Sequence, residues 1–530
     1  MNRPAFASDL DAFQFMLKES VDRFLTDYRK GASDFSNFTS IFSRLLHILP
    51  DPPLEIVWFY ASLTSFSTKL TTLHNSNQLS LVKDLFQLLV SCCSSCSTAK
   101  KIALLAPVIC EIYGLVFVRR DLREEIEVVL EGVIGYISIC CGACCHTSEE
   151  FEVLGSCFAD MVRVWVVEKI GDNGKFGEDL RVFCPVISDG IRKQMVSRER
   201  FGVGDLAGVV MVEAFLLRLC LKFGCGISRA ELKRELNTSA VQMMAAFRSY
   251  YFFDTLLRML LEPVLPVVSL IKSDDAAYLQ EILMEAVIMM DYSFFFPQKG
   301  IQIPDEHLKS LAVMWLLIAD NAIQFVRETS AWNKVTLYGQ AFFGSCVRYQ
   351  LIKWVMDQPG LQGQRSLPNV STPVALIKWL LNVEERGVRV FDCKILKIYA
   401  KAIICRSRAD EELSAIFSEA QNLPENNLYY NGNVGKWKQG INYDLKMVDS
   451  MNVTFLDAPE PFKAGAANLT RKRKEGPLDE GDKQFKVVRS HLTDISVMEK
   501  VLSVTGDDNF SSVTEVDDPV SFENVEYMEQ

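Results

Sequence analysis

Histidine is scarce in this chain: five in 530 residues, at His47, His74, His146, His307 and His491, none beside another. That scatter excludes the H-E-x-x-H helix of metalloproteases and any run of histidines built to hold metal. Proline is held to 18 residues, too few for a loop-rich β protein, and no alternating β-branched runs are joined by hairpin dipeptides. Phosphate-cradling G-x-x-x-x-G-K-[ST] and nucleophile-elbow G-x-S-x-G patterns are absent as well.

Long apolar runs are missing too. A membrane span needs about 20 predominantly apolar residues, and the longest clean stretch, GVIGYISICCGACC at 132–145, has 14. Other apolar stretches are broken by Glu111, Glu213 and Arg218. They are read as buried helices, with no membrane span. The first residues, MNRPAFASDLDAFQF, lack a basic region followed by an apolar one, so no secretory leader is expected. The 15 cysteines are then read as reduced thiols of the cytosol or nucleus. A net charge of -11 and a pI near 5.2 argue against non-specific nucleic-acid binding by the whole surface.

What the chain has is helical periodicity. In SDLDAFQFMLKESVDRFLTDYRKG, the residues Phe13, Met16, Leu17, Val21, Phe24, Leu25 and Tyr28 recur on one helical face. Ser8 stands where an N-cap belongs, and Gly31 is placed to end the helix. Similar signals predict helices over 37–49, 55–74, 78–97, 100–118, 121–144, 149–169, 177–197, 205–223, 228–236, 238–262, 276–293, 305–328, 332–357, 372–386, 391–407 and 409–421. The expected fold is all-α: an irregular α-solenoid of HEAT- or armadillo-like helical hairpins followed by a disordered C-terminal tail. An irregular helical bundle fits the same composition. Residues 1–425 are assigned to the helical body, 426–460 to an ordered aromatic and Asn/Gly-rich extension, and 461–530 to the tail.

Several patterns carry chemistry in other proteins. Cys93-x-x-Cys96 and Cys141-x-x-Cys144 could supply four zinc ligands. However, 44 residues separate the pairs and both lie in apolar helical stretches, so the cysteines are read as small hydrophobes. Cys144 and Cys145 are also candidates for S-acylation. Gly202-x-Gly204-x-x-Ala207 approximates a dinucleotide fingerprint, but charged VSRERF precedes it where a buried strand is required. Glu213 and Asp291 are carboxylates inside apolar runs, where burial would raise their pKa values. They are read as structural charges. Arg192, Lys193, Arg198 and Arg200 form the basic cluster through which direct contact with nucleic acid is conceivable; interspersed acids favour a solvated face. No cofactor is expected, and no catalytic or metal-ligating set emerges.

The tail is more informative. Arg471, Lys472, Arg473 and Lys474 form a basic run among Gly, Pro and Asp. Glu475, Asp479, Glu480 and Asp482 follow within about one Debye length, ~8–10 Å, which weakens any grip on phosphates. A nuclear import receptor reads such short extended basic peptides. Residues 505–530 hold eight acids and no bases, interleaved with Val, Phe, Tyr and Met, a composition that folds onto partners. Ser512 and Thr514 each precede an acid by three residues, the pattern of acid-directed phosphorylation. The sequence therefore points to a nuclear, non-enzymatic helical scaffold that binds proteins through its helical surface and acidic tail, in the setting of chromosome maintenance or transcription. A cytoplasmic adaptor acylated near Cys144, and an enzyme whose site is dispersed along the chain, are the alternatives.

Overall fold

In the computed structural model, residues 6–71, 78–119, 122–142, 153–170, 176–196, 201–292, 305–359, 361 and 370–421 are described, their side chains from 12 to 408 apart from those of 71 and 170. The described residues form nineteen helices and no strand, with one isolated bridge pairing Val153 and Gly202. The all-α expectation holds. The extension at 426–460 and the tail at 461–530 lie outside the described residues. Contacts group Met1–Glu425 into one compact unit.

In chain order the helices are α1 (Phe6–Arg29), α2 (Ser36–Ile48), α3 (Leu54–Thr71), α4 (Gln78–Cys92), α5 (Thr98–Ala103), α6 (Ala106–Val118), α7 (Arg123–Gly142), α8 (Phe158–Ile170), α9 (Phe176–Phe183) and α10 (Asp189–Val196). They continue as α11 (Val203–Cys220), α12 (Arg229–Ala246), α13 (Tyr250–Leu260), α14 (Ser273–Met289), α15 (Asp305–Glu328), α16 (Trp332–Gly344), α17 (Cys346–Met356), α18 (Pro373–Glu385) and α19 (Lys394–Gln421).

Helix α11 is apolar around its whole circumference, and a helix of that kind must be enclosed on all sides. It is buried from Val203 to Cys220 except at Asp205 and Arg218, inside a ring made by α5, α6, α7, α12 and α13. Helix α15 forms a second centre, packed by α13, α14, α16, α17, α18 and α19. Helix α13 lies against both, and its YYFFDTLLRML sequence buries all but Asp254 and Arg258. At the N-terminal end α3 packs with α2, α4 and α8. There Trp58 donates its indole N–H to the Leu104 carbonyl (3.2 Å) and stacks edge-on against Phe183.

The expected irregular α-solenoid is not confirmed by these packings. Neighbours in sequence do pair, as α2 with α3, α14 with α15 and α18 with α19, but α11 also packs on α5, α6 and α7 from far earlier in the chain. In a simple solenoid each repeat touches only its neighbours. Two stretches, Thr98–Val118 and Asp305–Glu328, are long and apolar enough by composition to cross a membrane, but 61% and 83% of their apolar windows are buried inside the helical unit.

Helix boundaries follow local chemistry. The hydroxyl of Ser228 accepts the N–H of Glu231 (3.3 Å) at the start of α12, and that of Thr372 accepts the N–H of Ala375 (3.3 Å) ahead of Pro373. Gly31 adopts φ +80° just past α1, as its placement predicted. Ser8, by contrast, falls within α1, which is already helical at Phe6, so it is not the cap. The stretch predicted as one helix over 177–197 is two, because Cys184, Pro185 and the residues that follow turn away from the helix axis. The stretch over 332–357 divides at Ser345, whose hydroxyl caps α17 by accepting the N–H of Val347 (3.2 Å). Two predicted helices over 391–421 are one, α19.

Candidate functional site

Of the patterns singled out in the sequence, those among the described residues resolve largely into packing, while Lys193 and Asp291 stay exposed. Arg471, Lys472, Arg473, Lys474, Ser512, Thr514, Arg198, Arg200, Cys144 and Cys145 all lie outside the described residues. Of the basic cluster, Arg192 is drawn inward: it pairs with Asp189 at 2.7 Å and donates to the Cys184 carbonyl at 3.4 Å. Lys193 is exposed beside it. The fingerprint-like glycines serve helix packing. Gly202 precedes α11 and its N–H is held by the Asp205 carboxylate (2.8 Å). A side chain at Gly204 would strike the Tyr251 ring, and one at Gly208 would strike the Tyr251 carbonyl and come within 2.8 Å of the Thr255 hydroxyl. Glycine here lets α13 cross α11 closely, and among the described residues an isolated bridge between Gly202 and Val153, not a strand, stands before the helix.

Four cysteines of the two clusters behave as core. Cys93, Cys96, Cys140 and Cys141 are buried. The Cys93 thiol lies 3.3 Å from the Tyr136 hydroxyl, and that of Cys141 lies 3.8 Å from the Met211 sulfur. Burial raises the Cys93 pKa and pushes that of Cys96 up to about 12, so both stay protonated and poorly nucleophilic. Among the described residues no group of three or more His, Cys, Asp or Glu is arranged to hold a metal ion.

Asp291 is exposed just after α14, whereas Glu213 is enclosed in the middle of α11. Its carboxylate accepts the backbone N–H of Val186 at 3.1 Å and also takes a hydrogen bond from Ile187. Burial pushes its pKa up to about 8, against the lowering effect of those amides and of Arg192. A second polar seam joins α13 to α15. The Asp254 carboxylate pairs with Arg258 (2.7 and 3.0 Å) and accepts the Tyr250 hydroxyl (3.3 Å), and the Tyr250 ring stacks on His307 at 4.8 Å. Burial lowers the His307 pKa. Next to it Lys309, with only 2% of its side chain exposed, is gripped by Asp392 (2.7 Å) and Glu306 and lies 4.6 Å from the centre of the Trp354 ring.

A surface groove of about 600 Å³ lies between the end of α6, the start of α7, the end of α11 and the segment leading into α14. Phe117 on α6 and Val268 are more than half exposed along it. Arg119, Arg123 and Lys272 bring positive charge to the same walls. Arg123 donates to the Phe223 carbonyl, and its buried Nε has no hydrogen-bond partner among the described residues. The acidic wall residue Asp275 is held at 2.6 Å by Arg229, whose guanidinium lies 3.7 Å from the centre of the Tyr278 ring. The groove thus combines apolar area with three cationic side chains, and the acid on its wall, Asp275, is held by Arg229. Sequence reading missed it because its basic residues are spread from 119 to 272. The only local sign was VFVRR, an apolar helix end running straight into two arginines.

Comparison of the chain with protein-family models, with curated proteins and with solved structures finds no match.

Proposed function

We propose that this chain is a nuclear, non-enzymatic helical scaffold whose body binds protein partners and whose acidic C-terminal segment adds a second docking element. The groove formed by Phe117, Val268, Arg119, Arg123 and Lys272 carries the reading, because its chemistry fits a short acidic peptide with an apolar anchor. Pairing of sequence neighbours such as α2 with α3 and α18 with α19 supports an irregular HEAT- or armadillo-like organisation. The basic run Arg471, Lys472, Arg473 and Lys474 supports delivery by an import receptor. Chromosome-maintenance and transcription complexes are the settings in which such a scaffold would serve.

A fluorescent reporter fused to residues 461–495 should enter nuclei, and the same fusion with residues 471–474 changed to alanine should remain outside. Exclusion of the unaltered fusion would overturn the nuclear assignment. Affinity purification of the full chain, unaltered and with Arg119, Arg123 and Lys272 reversed to Glu, tests the groove. Loss of acidic-motif partners from the altered chain supports the scaffold reading, and an unchanged partner set removes the groove from it.

A further inference from the structure

Helix α19 has two faces. Leu396, Ala400 and Ile403 are buried on the side that packs against α15 and α18. The opposite side carries Ile395, Ile398, Ala402 and Cys405, all exposed, the two isoleucines 61% and 65% so. Their spacing is three, four, three, which is the a/d seam of a coiled coil. An exposed pair of isoleucines this close on one helix face is costly to leave in water. With that seam in register, Lys394, Lys401 and Arg408 occupy successive g positions seven residues apart. All three are exposed and form no ion pair among the described residues. On the other flank stand Tyr399 and Arg406, the latter paired with Asp320 at 2.9 Å.

We infer that the outer face of α19 docks an acidic amphipathic helix from a partner protein, as the second strand of a short coiled-coil seam. The inference rests on the scaffold reading and names one kind of partner. Charge decides the occupant. A second copy of α19 would set Lys394, Lys401 and Arg408 against the same cations or against Arg406, and like charges flanking a seam disfavour pairing. A helix with apolar a/d residues and Glu or Asp at its flanking positions buries the isoleucines and pairs each lysine and arginine. Basic residues every seventh position are also a poor match for an extended peptide, which presents its side chains with a period of two.

The test uses the full chain and two synthetic helical probes about three heptads long. Both carry leucine at a and d; one has glutamate and the other lysine at every e and g. Fluorescence anisotropy should show the acidic probe binding roughly tenfold or more tighter than the basic one, and weakening as salt rises. Reversing Lys394, Lys401 and Arg408 to Glu should invert that preference, and Ile395→Lys with Ile398→Lys should abolish binding of both. Equal binding of the two probes, salt-independent binding, or wild-type binding that survives the isoleucine changes would each overturn the inference. So would a wild-type chain that sedimentation shows to be a dimer and the isoleucine variant to be a monomer. The salt series needs no variant, so a misfolded mutant does not blunt the test. Reporter import does not involve α19: exclusion of the 461–495 reporter with preferential acidic-probe binding would fault the nuclear assignment and leave the seam standing.

Discussion

The carboxylate of Glu213, in the middle of α11, accepts the backbone N–H of Val186 at 3.1 Å from inside the core. Val186 and Ile187 belong to the turn between α9 and α10, where the helix-ending Cys184 and Pro185 leave backbone amides without helical partners. Glu213 supplies the missing acceptor. The group is held at a pKa of about 8, above its ordinary 4.5, chiefly by burial. A carboxyl whose folded-state pKa is raised gives its full stabilisation below the unfolded value and loses it as pH climbs through the folded one. The wild-type protein should therefore lose stability between about pH 4.5 and about pH 8, by up to a few kcal/mol at ~1.4 kcal/mol for each pH unit of displacement. Glu213→Gln keeps an acceptor and cannot ionise, so its denaturant midpoint should fall less over that interval. Parallel curves for the two proteins would show that Glu213 does not titrate there.

Gly208 sits where the backbone of α13 crosses close over α11. A methyl group there meets the Tyr251 carbonyl, which is backbone and cannot swing aside, and the Thr255 hydroxyl. Gly208→Ala should cost about 1–3 kcal/mol despite the higher helix propensity of alanine. The same change at Gly132, where nothing lies within 4 Å of a built side chain, should stabilise by up to about 1 kcal/mol. Thermal melts of both variants decide this, and a stabilised Gly208→Ala would refute the close crossing.

Removing a buried charge differs from stranding one. Asp392→Ala leaves the Lys309 ammonium almost fully enclosed, with Glu306 as its remaining carboxylate. That change should cost about 3 kcal/mol. Lys309→Met keeps an unbranched chain over the Trp354 ring, and the two carboxylates it frees are 31% and 69% exposed, open to water. It should cost less than half as much. Equal losses in urea titrations would mean that Lys309 is hydrated in a way its burial does not allow.

Thiol chemistry offers a quick reading of the fold. Cys225 and Cys405 are exposed, whereas Cys110, Cys184 and Cys220 are buried and burial raises their pKa values. Among these five thiols, a maleimide pulse on the native chain should label Cys225 and Cys405 first and reach the buried three only on unfolding. Peptide mapping by mass spectrometry reports the order. Early labelling of Cys110 would contradict the packing of α6.

Much of the helical order was legible because the apolar period survives in single helices such as α1, and because caps such as Ser228 sit close to the segments they cap. The breaks were harder to see. The division between α9 and α10 depends on a glutamate 27 residues farther along accepting the Val186 amide, and no local pattern announces that. The start of α8 was placed too early because residues 153–157 leave the helix, where the Glu55 carboxylate holds the Gly155 N–H at 2.8 Å from 100 residues away. Gly204 and Gly208 carried a motif-like spacing whose cause is Tyr251 and Thr255 on another helix. The groove cations and the outward seam of α19 needed burial to be known first. Ile395 and Ile398 look like core in the sequence, and only the packing of Leu396, Ala400 and Ile403 shows which side faces out.

The two-sided burial of α13 has a thermodynamic consequence. Tyr251, Phe252, Phe253, Leu256, Leu257 and Leu260 are all withdrawn from water in a helix of 11 residues that packs on both α11 and α15. Peeling α13 from either side would wet apolar surface on both at once. The two centres share one fate on heating, and the helical unit should melt as a single calorimetric peak.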